Sequence, residues 1–149
     1  MPSPIEIREG KLADAPALAR LLAQLGYPRT QPYLERRIVQ QLSHPDALLL
    51  VAVAAGDVAG FISIHIIPQL ALAGDFCRVS YLCVAENMRG HGVGAMLEQC
   101  AELQARELGC DRIELHSNAQ RLDAHRFYAS IGYEDSPKYL IKRLASPPN

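Results

Sequence analysis

Nowhere in this chain do about 18 consecutive apolar residues occur, the run a membrane-spanning helix requires. A helical membrane span is thereby excluded. The opening Met1-Pro2-Ser3-Pro4 also leads straight into a short strand without the apolar core of a secretory leader. Cysteine is scarce: Cys77, Cys83, Cys100 and Cys110 form no Cys-x-x-Cys pair, and three of them fall in apolar strand or helix contexts. Free buried thiols in a reducing cytoplasm are expected. The five histidines, His44, His65, His91, His116 and His125, fit neither His-Glu-x-x-His nor a Cys/His quartet at zinc spacing, so no metal is expected. An excess of charge of either sign is lacking too. A net charge of -1 and a pI near 6.5 give no electrostatic reason to expect nucleic acid or an acidic membrane. The expected partner is a small molecule, and the expected location the cytoplasm.

At 149 residues the chain fits one domain, taken as 5–149, long enough to bury its own core without staples. Ile5 to Arg8 reads as a strand. Asp14 as N-cap and Pro16 in the first turn introduce a helix carrying Leu18, Leu21, Leu22 and Leu25 at helical spacing, and Gly26 stops it. A second helix is expected from Gln31 to Leu42. Leu48 to Ala54 and Val58 to Ile66 are β-rich runs around Ala55-Gly56-Asp57, which predicts an antiparallel hairpin. After a Pro68 to Gly74 loop come a strand Val79 to Val84, a helix Val93 to Leu108 with Val93, Leu97, Cys100 and Leu108 inward, and a strand Asp111 to His116. A helix Asp123 to Ile131 and a final strand pair, Tyr133 to Asp135 with Lys138 to Leu144, complete the chain. The order β-α-α-β-β-β-α-β-α-β-β puts antiparallel strands first and a single crossover helix late.

Between the strand ending at Val84 and the helix starting at Val93 lies Arg89-Gly90-His91-Gly92-Val93-Gly94. A helix start presents unpaired N–H groups and the positive end of the peptide dipoles, and therefore favours phosphate. Glycine removes the Cβ atoms that would hold a pyrophosphate away and tolerates positive φ. Three readings stand beside one another. One is a glycine-rich helix start with no ligand. Another is a dinucleotide fingerprint, since Gly90, Gly92 and Ala95 satisfy its relaxed form. Against that one stand the five residues between Val84 and Gly90, the antiparallel hairpin upstream and the missing second mononucleotide half.

The third reading uses the arginine as well. Arg89-x-x-Gly92-x-Gly94 resembles the acetyl-coenzyme A pyrophosphate motif of the GNAT N-acetyltransferase superfamily, with Val79-Ser80-Tyr81-Leu82-Cys83-Val84 in the place of that family's fourth strand. Ala124-His125-Arg126-Phe127-Tyr128-Ala129-Ser130-Ile131-Gly132-Tyr133 is similar to its second signature, a tyrosine-bearing helix followed by glycine and an aromatic. The resemblance covers Ile5 to Leu144. It implies an α/β (α+β) GNAT fold, a mixed central sheet of six to seven strands flanked by four helices. It also implies acetyl transfer from acetyl-coenzyme A to a primary amine of a small molecule, by direct attack in a ternary complex. The alternative is an acyl-coenzyme A binding or sensor module without catalysis.

Residue by residue, the resemblance implies that the backbone of Leu82, Cys83 and Val84 lies along the pantetheine arm. Arg89, Gly90, His91, Gly92, Val93, Gly94 and Ala95 hold the pyrophosphate, and Asn118 contacts the coenzyme arm. Tyr128 is the general acid that protonates the departing sulfur. Many members carry a Glu on the fourth strand as base, but here Ser80 and Tyr81 stand at those positions, leaving Glu114, His116, Glu86 or a water chain. Leu115-His116-Ser117-Asn118 with Arg121 to Tyr128 is similar to a branch that includes aminoalkylphosphonate N-acetyltransferases, which suggests a small amine, with or without an anionic group, and leaves Arg121 and His125 to contact either the substrate or the coenzyme phosphate. Many relatives pair, so a homodimer is expected.

Overall fold

The computed structural model describes residues 4–116, 122–134 and 140–145. The chain divides into two compact units, Met1–Leu115 and His116–Asn149.

The first unit is built on five strands: β1 (Ile5–Glu9), β2 (Ala47–Ala54), β3 (Asp57–Ile67), β4 (Asp75–Val84) and β5 (Cys110–Leu115). They lie in the order in which they occur, antiparallel from β1 to β4, with β5 parallel to β4. Only the last pairing needs a crossover, and α3 (Val93–Glu107) supplies it. Helices α1 (Ala15–Leu25) and α2 (Gln31–Ser43) occupy the link between β1 and β2.

Alternation along the strands divides the core in two. On one face Leu49, Val51, Phe61 and Cys83 pack against Leu18, Leu21, Leu34 and Ile38 of α1 and α2. On the other, Ala52, Ile62, Ile64, Cys77 and Val79 pack against Val93, Leu97, Ala101 and Ala105 of α3. The buried stripe of α3 thus steps by four residues from Val93. Cys100 is only half-buried and Leu108 lies exposed just past the helix end, so the inward face is rotated from the one expected at those two positions. All four cysteines are free; Cys77 and Cys83 are buried. Burial, with lesser contributions from Cys110 and Glu98, pushes the Cys77 thiol up to about 12, which makes it an inert core residue.

Asp14 stands at the N-cap of α1, but its carboxylate does not cap that helix. It turns back to accept two hydrogen bonds from the Arg8 guanidinium, at 2.8 and 2.9 Å, and one from the Lys11 N–H at 2.9 Å. With Asp14 only 5% exposed, this bidentate pair ties β1 to the start of α1. The Arg8 hydrogen bonds hold the Asp14 carboxyl below its ordinary value, against the opposing effect of burial. Asp14→Asn should therefore destabilise the unit by about 2–3 kcal/mol in urea titrations near neutral pH. Because the folded pKa is depressed, the contribution is complete above the unfolded value of about 3.9 and vanishes as pH falls through the folded one. The difference between wild type and variant should close along that acid limb.

The second unit contains α4 (Leu122–Ser130). The expected final strand pair is not seen among the described residues: Tyr133, Glu134 and Leu140 to Leu144 are not in strands, and 135–139 fall outside the description. Leu140 and Leu144 are 87% and 94% exposed, so the apolar pattern that suggested a strand does not correspond to buried side chains. The sheet described has five strands rather than six to seven.

Candidate functional site

β4 and β5 separate partway along. Their pairing runs from Asp75 opposite Cys110 to Val79 opposite Leu115 and stops. β4 continues through Val84, still paired to β3 as far as Gly60 opposite Val84, so Ser80 to Val84 have no strand on their other edge among the described residues. An unpaired edge offers N–H and C=O groups to any extended ligand laid beside it. Leu82, Cys83 and Val84 fall on this open segment.

The chain then passes through a short 3-10 turn, Glu86–Met88, before the glycines. Gly90 and Gly92 take φ of +84° and +81°, the left-handed region where a side chain would be strained. Nothing lies within 4 Å of where their Cβ atoms would be, so the bend opens onto free space. Gly92 is the N-cap of α3, and the N–H groups of Val93, Gly94 and Ala95 that follow have no acceptor within the helix. Arg89, Gly90, His91 and Gly92 are exposed, while Val93 and Gly94 are buried and anchor the turn. An apolar groove of about 480 Å³, bounded by Ile5, Ala54, Val58, Met88, His91 and Met96, lies beside the turn at the β2–β3 hairpin; Leu82 to Val84 do not line it. The open edge of β4 and the glycine turn follow one another along the chain, joined by the Glu86–Met88 turn, and His91 belongs to both the turn and the rim of the groove.

A second cluster occupies the α1/α2 face where β4 leaves β5. Register shifts between Ser63 and Ile64: Ser63 pairs with Tyr81 and Ile64 with Val79, which leaves Ser80 as the extra residue of a bulge. Val79 packs toward α3 and Cys83 toward α1 and α2, so the bulge turns both Ser80 and Tyr81 to the latter side. Ser80 Oγ lies 2.8 Å from His65 Nδ1. The Tyr81 ring stands edge-on to Tyr27, 5.6 Å between centroids and 87° between planes. Burial, and then neighbouring Tyr27 and Tyr33, raise the Tyr81 pKa and keep it a neutral phenol.

Of the expected bases, Glu114 is already engaged. It accepts from Arg78 at 2.8 Å and from Arg112 at 3.2 Å. Burial raises its pKa, but the two guanidinium hydrogen bonds outweigh that and hold it below the ordinary value, which makes it a poor proton acceptor. Glu86 is exposed in the 3-10 turn beyond β4. His116 opens the second unit.

In that unit Tyr128 is half-buried on α4. Its ring is edge-on to Phe127 and to Tyr133, at 5.2 and 5.7 Å, and its carbonyl accepts from the N–H groups of Ile131 and Tyr133 as the helix ends. Asn118 and Arg121 lie outside the described residues. The His65–Ser80 pair and Tyr27 were not singled out from sequence. Their signal was faint: Ser63 and His65 are polar residues at alternate positions of an otherwise apolar strand.

Residues 15–133 match the acetyltransferase (GNAT) family. The chain belongs to that family and is an enzyme of it. It is 38% identical over 103 residues to the aminoalkylphosphonate N-acetyltransferase of Salmonella typhimurium, covering 69% of this chain and 67% of that one. It is 26% identical over 147 residues to an aminoglycoside N(6')-acetyltransferase type 1 of Stenotrophomonas maltophilia, covering 96% and 95%. An aminoglycoside N-acetyltransferase structure in complex with coenzyme A superposes with a TM-score of 0.84 over 95% of each chain. At 16% identity that likeness is one of fold. Among the described residues no group of His, Cys, Asp and Glu could hold a metal ion, and no helix is long and apolar enough to cross a membrane.

Proposed function

We propose that this protein transfers the acetyl group of acetyl-coenzyme A to the primary amine of a small molecule, by direct attack within a ternary complex. The observation that carries this reading is the open edge of β4 running into a turn of left-handed glycines at the start of α3. That surface suits an extended arm ending in phosphates: Leu82, Cys83 and Val84 offer backbone groups along the arm, and the 89–95 segment offers N–H groups and a positive helix end to a pyrophosphate. When bound, acetyl-coenzyme A supplies an activated thioester carbonyl. A backbone N–H of the open segment polarises that carbonyl, Tyr128 protonates the departing sulfur, and Asn118 contacts the arm. The name of the Salmonella relative supports an amine that also carries an anion. Exposed Leu140, Ile141 and Leu144 support self-association as a homodimer, which sedimentation would measure.

Coenzyme A release with acetyl-coenzyme A and a panel of amines, including an aminoalkylphosphonate, tests the reading. Turnover with a member of the panel is expected. Acetyl-coenzyme A binding without release for any amine would favour a sensor instead, and stabilisation by NAD but not by coenzyme A would favour a dinucleotide site. Arg89→Ala should raise the coenzyme dissociation constant about tenfold at low salt. The gap should narrow as ionic strength rises, because Arg89 is solvent-exposed.

A further inference from the structure

The proposed transfer needs a neutral amine, and the strand position expected to carry a carboxylate base holds Ser80 and Tyr81 instead. At pH 7 an alkylamine with a pKa near 10 is only about one part in a thousand neutral. A proton acceptor on the acceptor side of the thioester is therefore worth a large factor in rate.

We propose that the Ser80 hydroxyl takes the proton of the acceptor ammonium and passes its own to His65, so that a serine–histidine relay at the β4 bulge does the work of the absent carboxylate. This rests on the acetyl-transfer reading above. Three features of the geometry place the relay. Ser80 is the first residue of β4 beyond its last pairing with β5, so it stands at the head of the open segment. The bulge sets Ser80 and Tyr81 side by side on the α1/α2 face, and His65 reaches the same face because Ile64 and Ile66 on either side of it pack toward α3. The 2.8 Å contact joins Oγ to Nδ1, which leaves Nε2 to carry the ring proton when Nδ1 accepts. Beside the pair, Tyr81 is 40% and Tyr27 51% exposed, which gives an ammonium an aromatic wall open to solvent.

The charges around His65 favour a neutral ring. Burial lowers its pKa first, and then His44 at the end of α2 and Arg78 on β4 lower it further. Arg78 is itself held by Glu114, and the β2 residue paired with His65 is Ala47, which brings no charge. The imidazole is thus an unprotonated acceptor at pH 7. The step balances. One N–H bond of the ammonium breaks as Ser80 Oγ takes that proton, and the Ser80 proton moves to His65 Nδ1. The freed lone pair forms the C–N bond, the C–S bond breaks, and sulfur takes a proton from Tyr128. A second amine proton re-protonates the phenol through water, and His65 returns its proton to solvent. The sum is ammonium plus thioester giving amide, thiol and one proton.

The test is kcat/KM for coenzyme A release from acetyl-coenzyme A and 2-aminoethylphosphonate between pH 6 and 10, for wild type, His65→Gln and Ser80→Ala, with acetyl-coenzyme A binding measured alongside. Wild type should lose activity toward acid with a midpoint below the ordinary histidine value. His65→Gln should be about a hundredfold slower at pH 7, should lack that acid limb, and should recover toward wild type by pH 10, where solution supplies the free amine. Ser80→Ala should fall about thirtyfold with the same recovery, and both should bind acetyl-coenzyme A normally. A purely structural role would slow the variants equally at every pH, and that result, or an undiminished His65→Gln, overturns the relay while leaving acetyl transfer intact. Should His65→Gln fail to bind acetyl-coenzyme A, the pH dependence of Ser80→Ala decides alone. A wild type that binds acetyl-coenzyme A but acetylates no amine overturns the acetyl-transfer reading and the relay together.

Discussion

Tyr128→Phe should lower kcat about a thousandfold while leaving acetyl-coenzyme A affinity within a factor of two or three. The expectation follows from what the substitution keeps. Phe retains the ring that meets Phe127 and Tyr133 edge-on, and the carbonyl that accepts from Ile131 and Tyr133 belongs to the backbone. The helix end should therefore survive, with a stability change on the order of 1 kcal/mol for the lost hydroxyl. What goes is the phenolic proton. A thiol resembling cysteine has a pKa near 8.5, so expelling it unprotonated at pH 7 is unfavourable, and general acid catalysis of this kind is worth about 10²–10⁴ in rate. A thousandfold loss corresponds to about 4 kcal/mol in the barrier. Single-turnover acetyl transfer, set beside coenzyme titration, separates the two effects. Unchanged turnover would remove the acid role from Tyr128, and loss of coenzyme binding would make its role structural.

The local backbone geometry of the surface proposed for the donor was legible in the sequence because it depends on local chemistry. Gly90 and Gly92 do take the left-handed conformations that their place before a helix suggested, and Val93 does open the helix. The acceptor side was harder to read, for a definite reason. A period-two reading of Val79, Tyr81 and Cys83 puts all three on one face, yet the bulge at Ser80 inverts the parity, so that Val79 faces α3 while Tyr81 and Cys83 face α1 and α2. His65 meets Ser80 across fifteen residues only in that shifted register. No local pattern around either residue encodes the meeting. Asp14 misled in a smaller way: N-cap chemistry was available to it, but the doubly hydrogen-bonded Arg8 offers more than one helix N–H.

The same coupling of strand end to helix start governs Gly60, where local propensity and tertiary packing make opposite forecasts. Gly60 lies inside β3, and by strand propensity alone a valine there should stabilise by up to about 1 kcal/mol. A Cβ at that point would sit 2.8 Å from the backbone carbonyl oxygen of Cys83, 3.2 Å from Val93 Cγ1 and 3.3 Å from Leu97 Cδ1. The carbonyl belongs to a strand also held by the Ala85 N–H to Ala59 hydrogen bond, and Val93 and Leu97 are 1% and 0% exposed, so none of the three can swing away. Overpacking of a closed core typically costs 1–3 kcal/mol, and a branched side chain against fixed backbone belongs at the upper end, so the clash outweighs the propensity. Gly60→Val should lose about 3 kcal/mol in urea denaturation, and Gly60→Ala about half as much. The strain falls on Cys83 at the open edge of β4 and on Val93 at the start of α3, the two ends of the surface proposed for the coenzyme. Gly60→Ala, measured at a temperature where it is fully folded, should therefore also bind acetyl-coenzyme A about tenfold more weakly. A stability loss with unaltered affinity would mean that the α3 start yields without disturbing the turn, and an unaltered urea midpoint would mean that the β3–β4–α3 junction is looser than its geometry requires.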